Sequence, residues 1–201
     1  VSPDDLRGAL QPQENVHAAP TRLVVLENTS NKGGGTCLGL AAIRAAEAVA
    51  REHQLAFHLD GARLWNALVH DRESPEDYGA LFDSISLCFS KGLGAPVGSV
   101  LVGNRDFIQQ ARRIRKRFGG GMRQVGVLAA AGLVALSDGP EGTVKRLAED
   151  HVNARRLATE IAALPDVISP GHIAQPEGER LNPSRVVTNF VIFKVTGGIA
   201  R

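Results

Sequence analysis

The sequence predicts an α/β protein built on a mainly parallel sheet. Two apolar runs, at residues 22–27 and 55–59, flank an Ala-rich segment of helical period at 40–53. Strand, helix and strand at that spacing make a βαβ unit, whose two strands run parallel. A third run, at 83–90, alternates Ile85, Leu87 and Phe89 on one face with Ser84, Ser86 and Cys88 on the other, the period of a strand.

The other elements follow in order. Residues 28–39 are rich in Asn, Gly, Ser and Thr and read as a loop. Asp60 and Arg63 leave the second strand at its carboxyl end, where open α/β sheets place ligands. Residues 63–69 read as a short helix. The third strand runs into a turn, Lys91-Gly-Leu-Gly-Ala-Pro-Val-Gly98, and residues 99–102 read as a further strand. A basic helix is expected at 105–118, broken by Gly119-Gly-Gly121, then an Ala-rich buried helix at 122–136 and a long amphipathic helix at 143–164. The run at 185–195 is β-rich. Gly139-Pro140 punctuates the chain, so a boundary is placed near Asp138: residues 1–138 form a large domain, and 139–201 an interdomain helix with the start of a smaller α+β domain.

Composition excludes several classes. An apolar share of 43% with 22% charged residues is that of a globular chain, not a disordered, collagen-like or coiled-coil one. The longest apolar stretch, 125–136, falls short of the roughly 20 residues that cross a bilayer, so no membrane partner is expected. With 23 basic and 21 acidic residues the net charge is +2, which calls for no polyanion. The cluster Arg112-Arg-Ile-Arg-Lys-Arg117 spreads around a helix and has no interleaved aromatics, so it reads as a solvated face and not a nucleic-acid site. The start lacks a basic, apolar leader and an initiator Met, so the chain is expected to be a fragment or processed product without a secretory signal. Cys37 and Cys88 match no zinc spacing and read as reduced thiols in a cytoplasmic setting.

Lys91 follows a strand directly, in a turn whose glycines allow close approach of a ligand. A desolvated lysine there could form a Schiff base; from the spacing alone a solvated turn lysine is the commoner reading. Asp60 could hold a pyridinium N–H, cap the next helix, or do both through different oxygens. His58 and Asp60 share a strand face as a metal pair would, but no third ligand is visible, and no metal is expected.

Together these motifs are far more specific. Glu27-Asn28-Thr29 with Asn31, His58-Leu-Asp-Gly-Ala-Arg63 with Asn66-Ala67, Ser90-Lys-Gly-Leu-Gly-Ala-Pro-Val-Gly-Ser99 and Gly119-Gly-Gly-Met-Arg-Gln124 resemble, in order and spacing, the low-specificity L-threonine aldolases. These are pyridoxal-phosphate (PLP) enzymes of the aspartate-aminotransferase fold, fold type I. The resemblance is densest from Glu27 to Gln124.

It implies Lys91 as the Schiff-base lysine, Asp60 as the acid on the pyridine nitrogen and Arg63 as the arginine beside the ring. It implies Lys116 and Arg123 as basic residues that approach the cofactor phosphate from a neighbouring subunit, hence a homo-oligomer, tetramer or dimer. His17, in His17-Ala-Ala-Pro-Thr21, matches a histidine near the β-hydroxyl of an amino-acid substrate. Glu27, Asn28 and Thr29 match supporting residues. The implied reaction is retro-aldol cleavage of threonine or allo-threonine to glycine and acetaldehyde, with another fold type I lyase, racemase or transferase, or a catalytically incompetent fragment, as the alternative. Ser30 stands where the family usually has histidine. The family's N-terminal Gly-Thr phosphate loop and ring-stacking histidine, and its C-terminal carboxylate-binding arginine, have no match here.

Overall fold

The computed structural model describes residues 2–12, 14–137, 142–171 and 175–197. Its centre is a four-stranded sheet in the order β1 (Leu23–Glu27), β2 (Ala56–Gly61), β3 (Ser84–Cys88) and β4 (Ser99–Gly103). The first three strands are parallel, and β4 returns antiparallel on the edge. The βαβ reading is therefore correct: α2 (Leu40–Glu52) crosses from β1 to β2. Gly61 ends β2 where a Cβ would lie 2.8 Å from the Ser86 carbonyl of β3, so only glycine fits there.

The helices put their apolar stripes on one face of this sheet. Ile43 and Ala46 of α2 meet Phe57 and Leu59 of β2, all of them fully or almost fully buried. Phe57 stacks on Phe82 at 4.3 Å between ring centroids. Burying each such side chain contributes about 1.5–3 kcal/mol. On β1 the alternation is visible residue by residue, with Val24 and Leu26 inward and Leu23 and Val25 about half exposed. Parallel sheets are ordinarily covered on both faces; here the second face carries exposed apolar side chains.

Between α3 (Leu64–Asp71) and β3 lies α4 (Pro75–Leu81), which the sequence pattern did not disclose. Its start is nonetheless written there: Ser74 Oγ accepts from Glu76 N, Pro75 takes the first turn, and Glu76 and Asp77 follow. A short leading helix, α1 (Pro3–Ala9), was missed too, although Ser2 and Asp5 cap it reciprocally.

The second half departs further from expectation. α5 (Arg105–Arg117) is a solvated basic helix, as anticipated, with no buried residue. α6 (Gly126–Leu136) is not the buried helix expected. Only Gly132 and Ala135 are buried, while Val127, Leu133 and Val134 are each about 70–80% exposed. The helix is apolar all round, a pattern that calls for cover on every side. One side meets Phe89, Leu93 and Leu147; nothing among the described residues covers the other. α7 (Thr143–Ala162) is the long amphipathic helix predicted. The β-rich run at 185–195 forms almost no strand: only Lys194–Val195 (β6) pairs, with Val167–Ile168 (β5). The expected boundary near Asp138 lies outside the described residues.

α3 and α7 are joined by a buried polar contact. Asn66 Nδ2 donates to His151 Nε2 at 3.1 Å, and both residues are buried. Burial first, and the nearby His70 second, hold the His151 imidazole below its ordinary pKa of 6.5. Above pH 6.5 the ring is neutral in folded and unfolded chain alike. As the pH falls below that value the unfolded chain takes up a proton that the folded one refuses, so stability declines until the folded pKa is passed. We expect urea midpoints to fall between about pH 7 and 5. His151→Gln, which can still accept from Asn66, should flatten that slope. An unchanged slope in the variant would assign the pH dependence to other groups.

A candidate active site at the carboxyl edge of the sheet

The three parallel strands end on one edge, and each delivers chemistry there. β1 ends at Glu27, opposite Asp60 of β2, which in turn faces Ser86 of β3. Lys91 follows the last residue of β3, Cys88, by three positions.

Past β1 the chain is locked by Asn28, which is fully buried. Its backbone N–H donates to Asp60 O at 3.0 Å, its Nδ2 to Leu38 O at 3.0 Å and to the Tyr78 hydroxyl at 3.3 Å, and its Oδ1 accepts from Leu38 N. One side chain thus closes the 28–39 loop against the end of β2. The neighbouring Thr29 hydroxyl is buried with no hydrogen-bond partner among the described residues. Gly35 stands at φ +79°, and a Cβ there would meet Thr188 Oγ1 at 2.6 Å. That hydroxyl donates to the Gly35 carbonyl at 2.6 Å. Residues near 190 are thereby strapped over the loop. No spacing in the sequence signals this contact across 153 positions.

Asp60 is half-buried. Its Oδ1 accepts from Ala62 N at 3.1 Å, which turns the chain toward α3. It is not the cap of that helix: Arg63 holds the N-cap position and makes no side-chain cap bond. The second carboxylate oxygen has no partner among the described residues. The Arg63 guanidinium lies 4.3 Å from the centroid of the Phe190 ring, a cation–π contact, and makes no ion pair among the described residues. Phe190 is the residue here that the sequence reading missed.

Lys91 projects from a turn pinned at both ends. Ala95 N donates to Phe89 O, Phe89 N to Gly98 O, and Gly94 N to Lys91 O. Phe89, Leu93 and Ala95 are buried beneath it. The amine makes no hydrogen bond or ion pair among the described residues, and it is exposed, not desolvated as the Schiff-base reading assumed. Its charge is felt by Cys88: burial pushes that thiol up, but hydrogen bonds from Ser90 and Ser99 and the Lys91 charge hold it below its ordinary pKa.

The remaining expected residues are not gathered at this edge. His17 sits in an exposed turn, held through its own N–H to Asn15 Oδ1. Lys116, at the end of α5, lays its stem over Gly121, where a Cβ would lie 2.7 Å from Lys116 Cδ. Arg123 is exposed just beyond. Among the described residues no hydrogen bond, ion pair or ring contact joins these three to Asp60, Arg63 or Lys91. His58 Nδ1 meets Ser84 Oγ at 2.7 Å, and among the described residues no cluster of three potential ligands includes His58 and Asp60. Among the described residues no helix is long and apolar enough to cross a membrane.

The chain matches the family model described as beta-eliminating lyase over residues 1–175. A low specificity L-threonine aldolase of Escherichia coli (strain K12) is 47% identical over 148 residues, covering 74% of this chain and 42% of that protein. A threonine aldolase structure from Leishmania major superposes with a TM-score of 0.67 at 23% identity, over 84% of this chain and 53% of that one. An aspartate aminotransferase of Thermus thermophilus does so at 0.58 and 16% identity, over 80% and 40%. At those identities the two structures show the fold, which is the fold type I architecture expected. The chain spans about half the length of the curated relatives it matches.

Proposed function

Because this chain belongs to the beta-eliminating lyase family, we propose that it supplies the cofactor-holding part of a PLP-dependent aldehyde-lyase acting on threonine and allo-threonine. The observation that carries the reading is the pairing of an unpartnered lysine amine with a half-committed carboxylate on one edge of a parallel sheet. Low-specificity threonine aldolases among the relatives support it.

The residues present fit PLP. The cofactor needs an amine for its aldehyde, an acid for its ring nitrogen and donors for its polar substituents. Lys91 is a free amine. Asp60 keeps one oxygen uncommitted while the other fixes its rotamer. The buried Thr29 hydroxyl is a donor without an acceptor at the same edge. Bound there, the cofactor supplies the electron sink that lets a Cα–Cβ bond break.

The chain's own residues do the rest. Lys91 would hold the cofactor covalently through Nζ and would give it up to the amine of the incoming amino acid. Asp60 would favour a proton on the ring nitrogen by opposing its charge. Arg63, held by Phe190, would help line the cofactor's place. His17 would take the proton from the substrate β-hydroxyl, and Lys116 and Arg123 would neutralise the cofactor phosphate of a neighbouring subunit. That last role would make the protein a homo-oligomer, a dimer or tetramer. The exposed faces of α6 and β4 fit that assembly. The setting is cytoplasmic, where Cys37 and Cys88, both free thiols, stay reduced.

The test is product analysis. The whole protein to which this chain contributes the cofactor-holding part, purified and saturated with PLP, is expected to release acetaldehyde and glycine in equal amounts from L-threonine or L-allo-threonine, and the 201 residues alone are expected to release none. Formation of 2-oxobutanoate and ammonia, or of the Cα epimer (D-allo-threonine from L-threonine, D-threonine from L-allo-threonine), in place of acetaldehyde would overturn the aldolase reading in favour of an eliminase or racemase.

A further inference from the structure

We propose that Cys37, His70 and Asp71 form a binding site for one zinc-class divalent cation, separate from the cofactor edge. The three side chains come from the end of the 28–39 loop and the last turn of α3. One donor atom from each lies within 4.8 Å of the other two. A tetrahedral ion with bonds of about 2.0–2.3 Å holds its ligands about 3.3–3.8 Å apart, so the cluster closes onto an ion by side-chain adjustment alone. Sulfur, imidazole nitrogen and carboxylate oxygen together are the ligand set of a borderline-soft ion and a poor one for magnesium or calcium. His70 is partly exposed, which leaves water as the fourth ligand.

Two observations point to an ion and not to a hydrogen-bonded cluster complete in itself. Asp71 Oδ1 meets His70 Nδ1 at 2.8 Å, but Asp71 Oδ2 is buried with no partner among the described residues. A buried, unpaired carboxylate oxygen is expensive. The surroundings are also negative. The carboxylates of Asp71 and Glu73 both stand close enough to the Cys37 sulfur to act on it electrostatically. Glu73 cannot be the missing partner, since its carboxylate serves as an acceptor, from Leu40 N at 3.1 Å and the Tyr78 hydroxyl at 2.6 Å, and offers Asp71 no donor. A dication would fill the vacancy on Asp71 and take Cys37 as thiolate, releasing the thiol proton to solvent. The sequence reading expected no metal, because Cys37 and Cys88 match no zinc spacing and His58 and Asp60 lack a third ligand; it is the fold that brings Cys37, His70 and Asp71 together.

An ion here would tie the 28–39 loop to α3. Tyr78, which bonds Glu73, also meets Asn28, the side chain that closes the loop against Asp60. The role is therefore structural and lies behind the cofactor edge.

The protein, stripped with a chelator and kept free of PLP, is titrated with zinc. One ion per chain is expected, with a zinc-edge X-ray absorption shell of one sulfur near about 2.3 Å among lighter ligands. Cys37→Ser and Asp71→Asn should each weaken binding at least about tenfold, and Cys88→Ser should not. Should a variant fail to fold, alkylation of the parent protein decides: zinc should protect Cys37 and leave Cys88 reactive. Zinc bound without a sulfur neighbour, or Cys37 alkylated equally with and without zinc, would overturn the site. None of these readouts depends on the aldolase reading.

Discussion

Lys91→Ala is expected to lower threonine cleavage by about 10³-fold or more, the scale on which enzymes lose activity when the residue that bonds to the reacting group is removed. The expectation rests on placement. The turn that carries Lys91 is closed by backbone hydrogen bonds on both sides and anchored by Leu93 and Ala95 in the core. Alanine at 91 removes an exposed amine and nothing that packs, so the fold should survive. The chain has one other lysine on the same sheet edge, Lys32 in the loop after β1. Borohydride reduction followed by peptide mass analysis separates the two. The cofactor mass is expected on Lys91, and Lys32→Ala should retain the trapped cofactor. A modified Lys32 with Lys91 unmodified would sink the assignment. The same variant tests the assembly. Mixed with inactive Arg123→Ala chains, Lys91→Ala chains should regain partial activity, since one shared site then has both residues intact. No recovery in verified mixed oligomers would place Arg123 within its own subunit's site or outside catalysis.

The parts of this fold that the sequence disclosed are those where local pattern and tertiary role agree. β1, α2 and β2 were legible because period-two and period-3.6 stripes coincide with faces that are in fact buried, such as Phe57 and Leu59 against Ile43. α4 was not, because seven residues hold too few turns for a stripe, and only its cap chemistry at Ser74 and Pro75 announced it. α6 misled in the opposite sense: its composition states that it will be covered, but not by what. The run at 185–195 has strand-forming residues, but most of it pairs with no strand and instead forms a strap that places Thr188 on Gly35 and Phe190 under Arg63. For the candidate site, Lys91, Asp60 and Arg63 were readable as a spaced motif near strand ends. Phe190 and the Cys37–His70–Asp71 group were not, because their members meet only after folding.

Asp60→Asn isolates charge from shape, and its expected result is a folded protein with turnover reduced about 10²- to 10³-fold, equivalent to about 2.7–4 kcal/mol of lost transition-state stabilisation. Asparagine retains an Oδ1 that accepts from Ala62 N, so the turn into α3 stays formed. The backbone carbonyl at 60 still accepts from Asn28 N, and the strand register is untouched. What disappears is the negative charge on the uncommitted oxygen, which the proposed mechanism uses to keep the cofactor's ring nitrogen protonated. The loss should therefore fall on kcat, with the cofactor still trapped on Lys91 and the thermal midpoint nearly unchanged. Asp60→Ala provides the complementary measurement, because it removes the charge and the turn-forming acceptor together. It should match the asparagine variant in kcat and fall below it in stability by about 0.5–1.5 kcal/mol, the net worth of one hydrogen bond. Near-normal turnover in Asp60→Asn, with a deficit only in Asp60→Ala, would reduce Asp60 to a turn former and remove it from the active site.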